Sequence, residues 1–395
     1  MATDLRRQHG DASPTTERSM AAPITALVWL LCGIGLLMVL SSSSVQALRD
    51  SGSSWLYFQR QAAWLALGGV AFAAALKVPL TFFRRTAPAA ICLSYVLLVA
   101  VLVPGVGMRV NGSSRWLGVG SLRVQPSELA KLALLIFGAD LLARRAHLVE
   151  EPRAALVPLC ALMGSLCLLV MLQPDMGTTI VIVLIGGTLL LLSGVPVSWL
   201  LRLGALGLVV GAALAVSAPY RRARVMSFFD PWADAGNTGY QVVQSLVGMG
   251  SGQLTGVGLG SSRAKWGFLP NAHTDFIFAI IGEELGLIGS LAIIAAFVAL
   301  AFFGARVVVA TPDRFSALVA AGVTAWLSGQ ALVNMGAVVG LVPVTGVPLP
   351  FVSSGGSALV SNLFAVGLLV QIARRTGSSG PKPRTGRSRT HPAVG

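Results

Sequence analysis

The stretch NAHTDFIFAIIGEELG, Asn271 to Gly286, sets His273 and Asp275 at the start of an apolar run and then carries two adjacent glutamates, Glu283 and Glu284, inside it. Ionisable groups in so apolar a setting are costly unless paired or wetted, so they mark a site or a structural ion pair. A second aspartate, Asp175 in QPDMGTT, opens another apolar run. Either aspartate is explained as a helix cap whose carboxylate accepts bonds from unpaired backbone donors. Asp275 differs in its company, since Arg263, Lys265 and His273 precede it. Lys131, one of four lysines, follows Glu128 by three residues, on the same helical face. We expect Lys131 to meet Glu283 or Glu284 across a helix interface, with pairing to Glu128 as the simpler alternative.

The elements that hold these residues are those of a membrane protein. Of 395 residues, 54% are hydrophobic and 11% charged, against roughly one quarter charged in soluble domains. A helix crossing the hydrocarbon layer needs about 20 mostly apolar residues. Such runs recur near 24–40, 61–79, 88–104, 124–142, 154–172, 177–195, 198–217, 276–303, 315–340 and 353–373. The expected fold class is all-α, a polytopic membrane protein of ten transmembrane helices over 20–375 with one large extracytoplasmic loop at about 218–275. An even number of crossings puts both termini on one side. The termini and the turns bearing Lys77, Arg84, Arg85, Arg144, Arg145, Arg153, Arg202, Arg306 and Arg314 are basic, which places them in the cytoplasm. The arm at 1–19 and the tail at 376–395 lack the apolar residues needed to fold and read as disordered basic segments drawn to anionic membrane lipids. The first apolar run reads as a retained helix, longer than a signal core. No cysteine–histidine spacing suggests zinc and no glycine–lysine phosphate loop occurs, so nucleotide hydrolysis is set aside. No nucleic-acid partner is expected.

The opposite face breaks the charge rule. Its loops hold Arg109, Arg115, Arg123, Arg221, Arg222, Arg224, Arg263 and Lys265, and a phosphorylated ligand is the simplest need for them, because guanidinium groups match phosphate oxygens in pairs. Solvated loops of indifferent charge explain any one of these residues, but explain the set less well. Arg115 and Trp116 precede QPSELAK, where Pro126 and Ser127 suit a helix start; Trp116 suits either an interfacial anchor or a platform for sugar or lipid. The loop at about 218–275 is long enough to be functional, and its YQVVQSLVGMGSG reads as a short amphipathic helix at the interface followed by glycine-rich turns. The segment GLVPVTGVPLPFVSSGG, Gly340 to Gly356, is too apolar for an ordinary loop; a re-entrant cavity lining and a tightly packed turn both fit it.

NGSSRWLGVGSLRVQPSELAKL, QPDMGTT, NTGYQVVQSLVGMGSGQLTGVGLGSSRAKWGFLPNAHTDFIFAIIGEELGLIG and PVTGVPLPFVSSGGSALVSNLFAVGLL together resemble the SEDS family (shape, elongation, division and sporulation), over nearly all of the chain between the tails. SRAKWGFLPNAHTDFIFAIIGEELG and NTGYQVVQS are more similar to its division branch than to its elongation branch. The resemblance implies a ten-helix peptidoglycan glycosyltransferase that polymerises lipid II on the outer face of the cytoplasmic membrane. It implies as partners a class B penicillin-binding transpeptidase and other membrane proteins of the divisome. The family's essential aspartate lies in HTDFIF, which carries onto Asp275. One departure is that members commonly read Ser-Tyr-Gly-Gly where this chain has Ser353, Ser354, Gly355 and Gly356.

The family reaction joins the 4-hydroxyl of GlcNAc in one lipid-linked disaccharide to the anomeric carbon of MurNAc in another and expels undecaprenyl diphosphate. A sugar hydroxyl is a poor nucleophile, and Asp275 is expected to be its general base. Diphosphate departs as a stable anion, so the second carboxylate that glycosidases use is not required. It does need positive charge, expected from Arg115, Arg224, Lys265 and Arg263, with Trp116, His273 and Asp175 completing the substrate site. A divalent cation (Mg or Mn) between diphosphate and Asp275 is compatible with this reading, and no other cofactor is expected. Glu128, Lys131, Glu283 and Glu284 are assigned to architecture. A lipid II flippase shares the ligand and would use Lys131 and Glu283 along a translocation path; a non-catalytic divisome scaffold is the third reading.

Overall fold

The computed structural model describes residues 20–110, 113–119, 122–145, 152–216, 222 and 226–378. Every long apolar run falls on a helix: α1 (Ala21–Ser51), α2 (Leu56–Lys77), α3 (Leu80–Leu102), α4 (Pro126–Arg144), α5 (Pro152–Leu172), α6 (Met176–Leu192) and α7 (Val197–Val216). The short amphipathic α8 (Tyr240–Ser251) follows, then α9 (Ile277–Ala310), α10 (Arg314–Val338) and α11 (Gly356–Ser378). Five of these helices, α1, α3, α9, α10 and α11, are long and apolar enough by themselves to cross a membrane. The protein is a polytopic helical membrane protein. Leu201, Leu206, Leu208 and Val209 on α7 stand exposed, as they can where lipid tails are as apolar as leucine. The centre is built by α11, buried along most of its length, which lies against α2, and by α10, which lies against α6 and α9.

Two features depart from a purely helical reading. Residues 108–124 carry three short antiparallel strands, β1 (Met108–Val110), β2 (Ser113–Val119) and β3 (Leu122–Val124). The pairs Val110↔Ser113 and Val119↔Leu122 leave two residues in each connection, and the first is Asn111-Gly112. Asn-Gly between such runs is a hairpin signal, which reading the segment as loop overlooks.

The second is a break in α9 at Gly286, with φ 67 and ψ −162. A continuous helix of 34 residues would be roughly 51 Å long at 1.5 Å per residue, more than a crossing needs. The break leaves 277–286 as a half-helix enclosed by protein and 287–310 as a half with an exposed stripe of Leu287, Ile288, Leu291, Val298 and Phe302. Glu283 and Glu284, expected within an unbroken span, therefore lie in the enclosed half.

Candidate active site

Asn271 has φ 58, a left-handed conformation that asparagine tolerates better than most residues. Its carbonyl collects the N–H of Thr274 (3.0 Å), the N–H of Phe276 (3.4 Å) and the Thr274 hydroxyl (3.1 Å). This turn sets Asp275 just ahead of α9, half-buried. The cap position of α9 is Phe276, which makes no side-chain cap bond, so the cap of this helix is not the aspartate. Asp275 Oδ1 accepts from Thr274 Oγ1 at 2.6 Å.

A single amide ties this turn to the segment 340–355. Asn334 Nδ2 on α10 donates to the Asp275 carbonyl (2.8 Å) and to the Val347 carbonyl (2.7 Å). One turn earlier, Gln330 Nε2 donates to Pro348 O (2.9 Å). Ser353 Oγ accepts from Leu349 N (2.8 Å), and Gln61 donates to Ser353 O (3.3 Å). Irregular backbone in apolar surroundings persists only where its polar groups are answered in this way. The segment is thus packed, and it also lines a small hollow whose walls include Asp275, Phe276, Asn334, Val344, Thr345 and Gly346.

His273 is held alongside. Its carbonyl accepts from the Ser354 N–H (2.9 Å), and its ring lies 4.9 Å from that of Tyr57. The Arg60 guanidinium sits 6.0 Å from the same tyrosine ring. The bond from Ser354 is made by backbone, which explains how the position holds His273 without the tyrosine common in the family.

The expected cations divide into engaged and open ones. Arg115 donates from Nε to Gln173 O (3.0 Å) and from Nη2 to Pro174 O, and its Nη1 is 3.8 Å from Asp175 Oδ1. Asp175 caps α6, accepting from the Thr178 N–H (3.1 Å), the Thr178 hydroxyl (2.8 Å) and Gln125 Nε2 (2.8 Å). Its capping role accounts for the carboxylate, and Arg115 docks β2 on the α5–α6 turn. Lys265 Nζ donates to Gly260 O and stands 3.9 Å from Glu284 Oε1. Arg263 gives its N–H to Glu283 Oε1 (2.8 Å) while its side chain is exposed. Trp116 is half-buried on β2, paired with Met108. Arg224 lies outside the described residues. In the loop ahead of α8, the Asn237 amide and then the Thr238 N–H and hydroxyl hold the Asp234 carboxyl below its usual range.

Lys131 does not meet Glu283 or Glu284. Its ammonium is 2.8 Å from Glu128 Oε1, 3.4 Å from Gln330 Oε1 and 4.6 Å from the Trp326 ring centroid. Glu283 accepts instead from Ser262 Oγ (2.5 Å), Arg263 N (2.8 Å) and Ala264 N (3.4 Å). Glu284 accepts from Ser41 Oγ (2.6 Å) and Ser262 N (3.3 Å). An i,i+3 partner is always within reach, whereas backbone donors in a tight loop need nearby acceptors. Removing one member of a buried pair leaves the other uncompensated, at a cost of about 3–5 kcal/mol. Lys131→Met is therefore expected to lower the melting temperature in detergent sharply, and adding Glu128→Gln should recover much of the loss.

Arg60, Tyr57, Gln330, Asn334 and Thr345 are absent from the residues expected by sequence. For Gln330 and Asn334 a signal existed: two amides one turn apart in an apolar helix, where polar residues mark function or structure. Among the described residues no three His, Cys, Asp or Glu side chains converge. Among the described residues the side-chain oxygens around the hollow belong to one carboxylate, Asp275, and to the neutral side chains of Asn334 and Thr345. Such a set holds a magnesium-like ion only in the company of substrate phosphates.

The comparison with known proteins agrees with this architecture. Residues 22–378 match the FtsW/RodA/SpoVE family of cell cycle proteins. The probable peptidoglycan glycosyltransferase FtsW of Mycobacterium tuberculosis is 42% identical over 364 residues, 92% of this chain and 70% of that protein. Stage V sporulation protein E of Bacillus subtilis is 39% identical over 351 residues, 89% of this chain and 96% of that protein. A chain from a peptidoglycan synthase complex, solved for its coordination of polymerization and crosslinking, superposes with a TM-score of 0.73 at 29% identity, covering 89% of this chain and 98% of that one. The rod shape determining protein RodA of Thermus thermophilus gives a TM-score of 0.62 at 26% identity, covering 89% and 95%. With motifs, helix order and a match from 22 to 378 in agreement, the chain belongs to the FtsW/RodA/SpoVE family, the SEDS family that its motifs resemble.

Proposed function

We infer that the chain is a peptidoglycan glycosyltransferase that polymerises lipid II into glycan strands at the division septum and releases undecaprenyl diphosphate. The observation that carries this reading is Asp275, a half-buried carboxylate delivered by a tight turn and pinned beside a hollow by Asn334, in a chain whose FtsW relatives bear that activity in their names. In this reading α1 to α7 and α9 to α11 cross the membrane with both termini cytoplasmic. Asp275 then faces the extracytoplasmic side, where the disaccharide is presented. Asp275 takes the proton of the GlcNAc 4-hydroxyl as its oxygen bonds to the anomeric carbon, a role worth about 10² to 10⁴ in rate. The bond from that carbon to diphosphate breaks, and the electron pair leaves with the diphosphate. Exposed guanidiniums serve the departing charge, Arg263 and Arg60 first, with Arg224 and the open edge of Arg115 as further candidates. Asp275, in the company of substrate phosphates, would help hold a divalent cation, which would supply positive charge for the departing diphosphate; the steps above do not pass through it. A class B penicillin-binding transpeptidase is the partner that crosslinks the product.

The test supplies lipid II in detergent to the purified chain with its transpeptidase. Long glycan on a gel is expected, since detergent leaves no membrane to cross. Movement of lipid II across sealed vesicles without any polymer would replace this reading with a flippase.

A further inference from the structure

Two residues that line the hollow beside Asp275 each carry a buried side-chain atom with no partner among the described residues: Thr345 Oγ1 and Asn334 Oδ1. Their residues are 7% and 2% exposed, and buried polar atoms are seldom left unanswered. The orientation of the Asn334 amide is determined by its bonds, because Nδ2 serves two carbonyls, Asp275 O and Val347 O, and a carbonyl can only accept. That leaves Oδ1, an obligate acceptor, as the unanswered atom of a residue that lines the hollow. The hollow has room for about one water-sized group. Among the described residues no lysine or arginine lines it, and the polar side chains that do are a carboxylate, an amide and a hydroxyl. Such a lining repels diphosphate and calls for a ligand that brings hydrogen-bond donors.

We propose that this hollow seats the attacking hydroxyl of the acceptor sugar, with Thr345 Oγ1 and Asn334 Oδ1 as substrate contacts beside Asp275. The proposal rests on the polymerase reading above. The attacking hydroxyl donates to Asp275 and accepts from the Thr345 hydroxyl, while the neighbouring ring hydroxyl donates to Asn334 Oδ1. When the oxygen bonds to the anomeric carbon, its proton goes to the Asp275 carboxylate and the diphosphate leaves with the electrons of the broken bond. The arrangement separates acceptor from donor, since the cations that suit diphosphate lie outside the hollow.

The experiment uses the full chain reconstituted with its transpeptidase and two probes. One is lipid II lacking the 4-hydroxyl, which can only donate; the other is a lipid-linked disaccharide joined through a phosphonate, which can only accept. Thr345→Val is nearly isosteric and removes one hydrogen bond, so the acceptor KM is expected to rise about tenfold with the donor KM unchanged, and Thr345→Ser should restore it. Equal shifts in both constants, or none in either, overturn the proposal. Should Thr345→Val melt early, the wild-type chain is assayed with an acceptor lacking the 3-hydroxyl: a loss confined to the acceptor KM supports the subsite and its absence overturns it. A wild-type chain that forms no polymer refutes the polymerase reading, and this is seen before any variant is read.

Discussion

Asp275→Asn should abolish glycan polymerisation and leave the protein folded. The two side chains have the same shape, and what holds this residue in place is backbone: its carbonyl accepts from Asn334 at 2.8 Å, and the preceding turn is closed by the Asn271 carbonyl. The contact from Thr274 Oγ1 to Oδ1 survives with an amide oxygen as acceptor. The substitution therefore removes one property, the capacity to take a proton, and the polymerisation rate should fall by a factor in the range of about 10² to 10⁴ or more. The measurement is polymer length and yield from purified lipid II with the partner transpeptidase, next to a melting curve within a few degrees of wild type. Undiminished polymer would refute the base assignment. In cells the same variant should reach the septum and yet leave filaments, whereas a pure scaffold would still divide.

What the sequence discloses about this protein follows from which interactions are periodic and which are not. Hydrophobic runs are averages over about 20 residues, so each membrane-length run is found even though α1 continues to Ser51 and α9 is broken at Gly286. The candidate aspartate stands out in the sequence because His273, Asp275 and the cations before it stand together in one stretch. Which cation answers which acid is not legible. Lys265 turned toward Glu284 and Arg115 toward the 173–175 turn, because a loop's path decides which charges converge. Lys131 pairs with Glu128, three residues away on its own helix, rather than with Glu283 or Glu284 across the interface. Thr345 is a single neutral side chain in an apolar segment, and the part played by Asn334, one of two amides a turn apart on α10, arises only when α10 and the segment 340–355 close around the turn at 271–276.

Gly286→Ala should be strongly destabilising, and the reason lies in how the broken α9 is repaired. An unbroken helix would bond the N–H groups of 287 and 288 to the carbonyls of 283 and 284. Here Leu287 N donates to Gln253 O (2.9 Å) and Ile288 N to Leu254 O (3.2 Å), while Glu283 O accepts from Val257 N (3.0 Å) and Glu284 O from Gly258 N (3.1 Å). The loop 253–258 has entered the helix and answers all four groups, which matters where no water can do so. The side chains of Glu283 and Glu284 grip the same loop further on, at Ser262, Arg263 and Ala264. Gly286 permits this with φ 67 and ψ −162, a region essentially closed to other residues at about 1–3 kcal/mol. An added Cβ would also meet Gly256 N at 2.4 Å and Leu254 C at 2.6 Å, both backbone. Strain and displacement of the loop together should cost more than about 3 kcal/mol, read as a large fall in detergent melting temperature and in folded yield. The control is Gly33→Ala in α1, where a Cβ meets nothing within 4 Å, and which should be neutral or slightly stabilising. If both variants melt with the wild type, the break at Gly286 is not what holds the loop against α9, and the grip of the two glutamates must suffice alone.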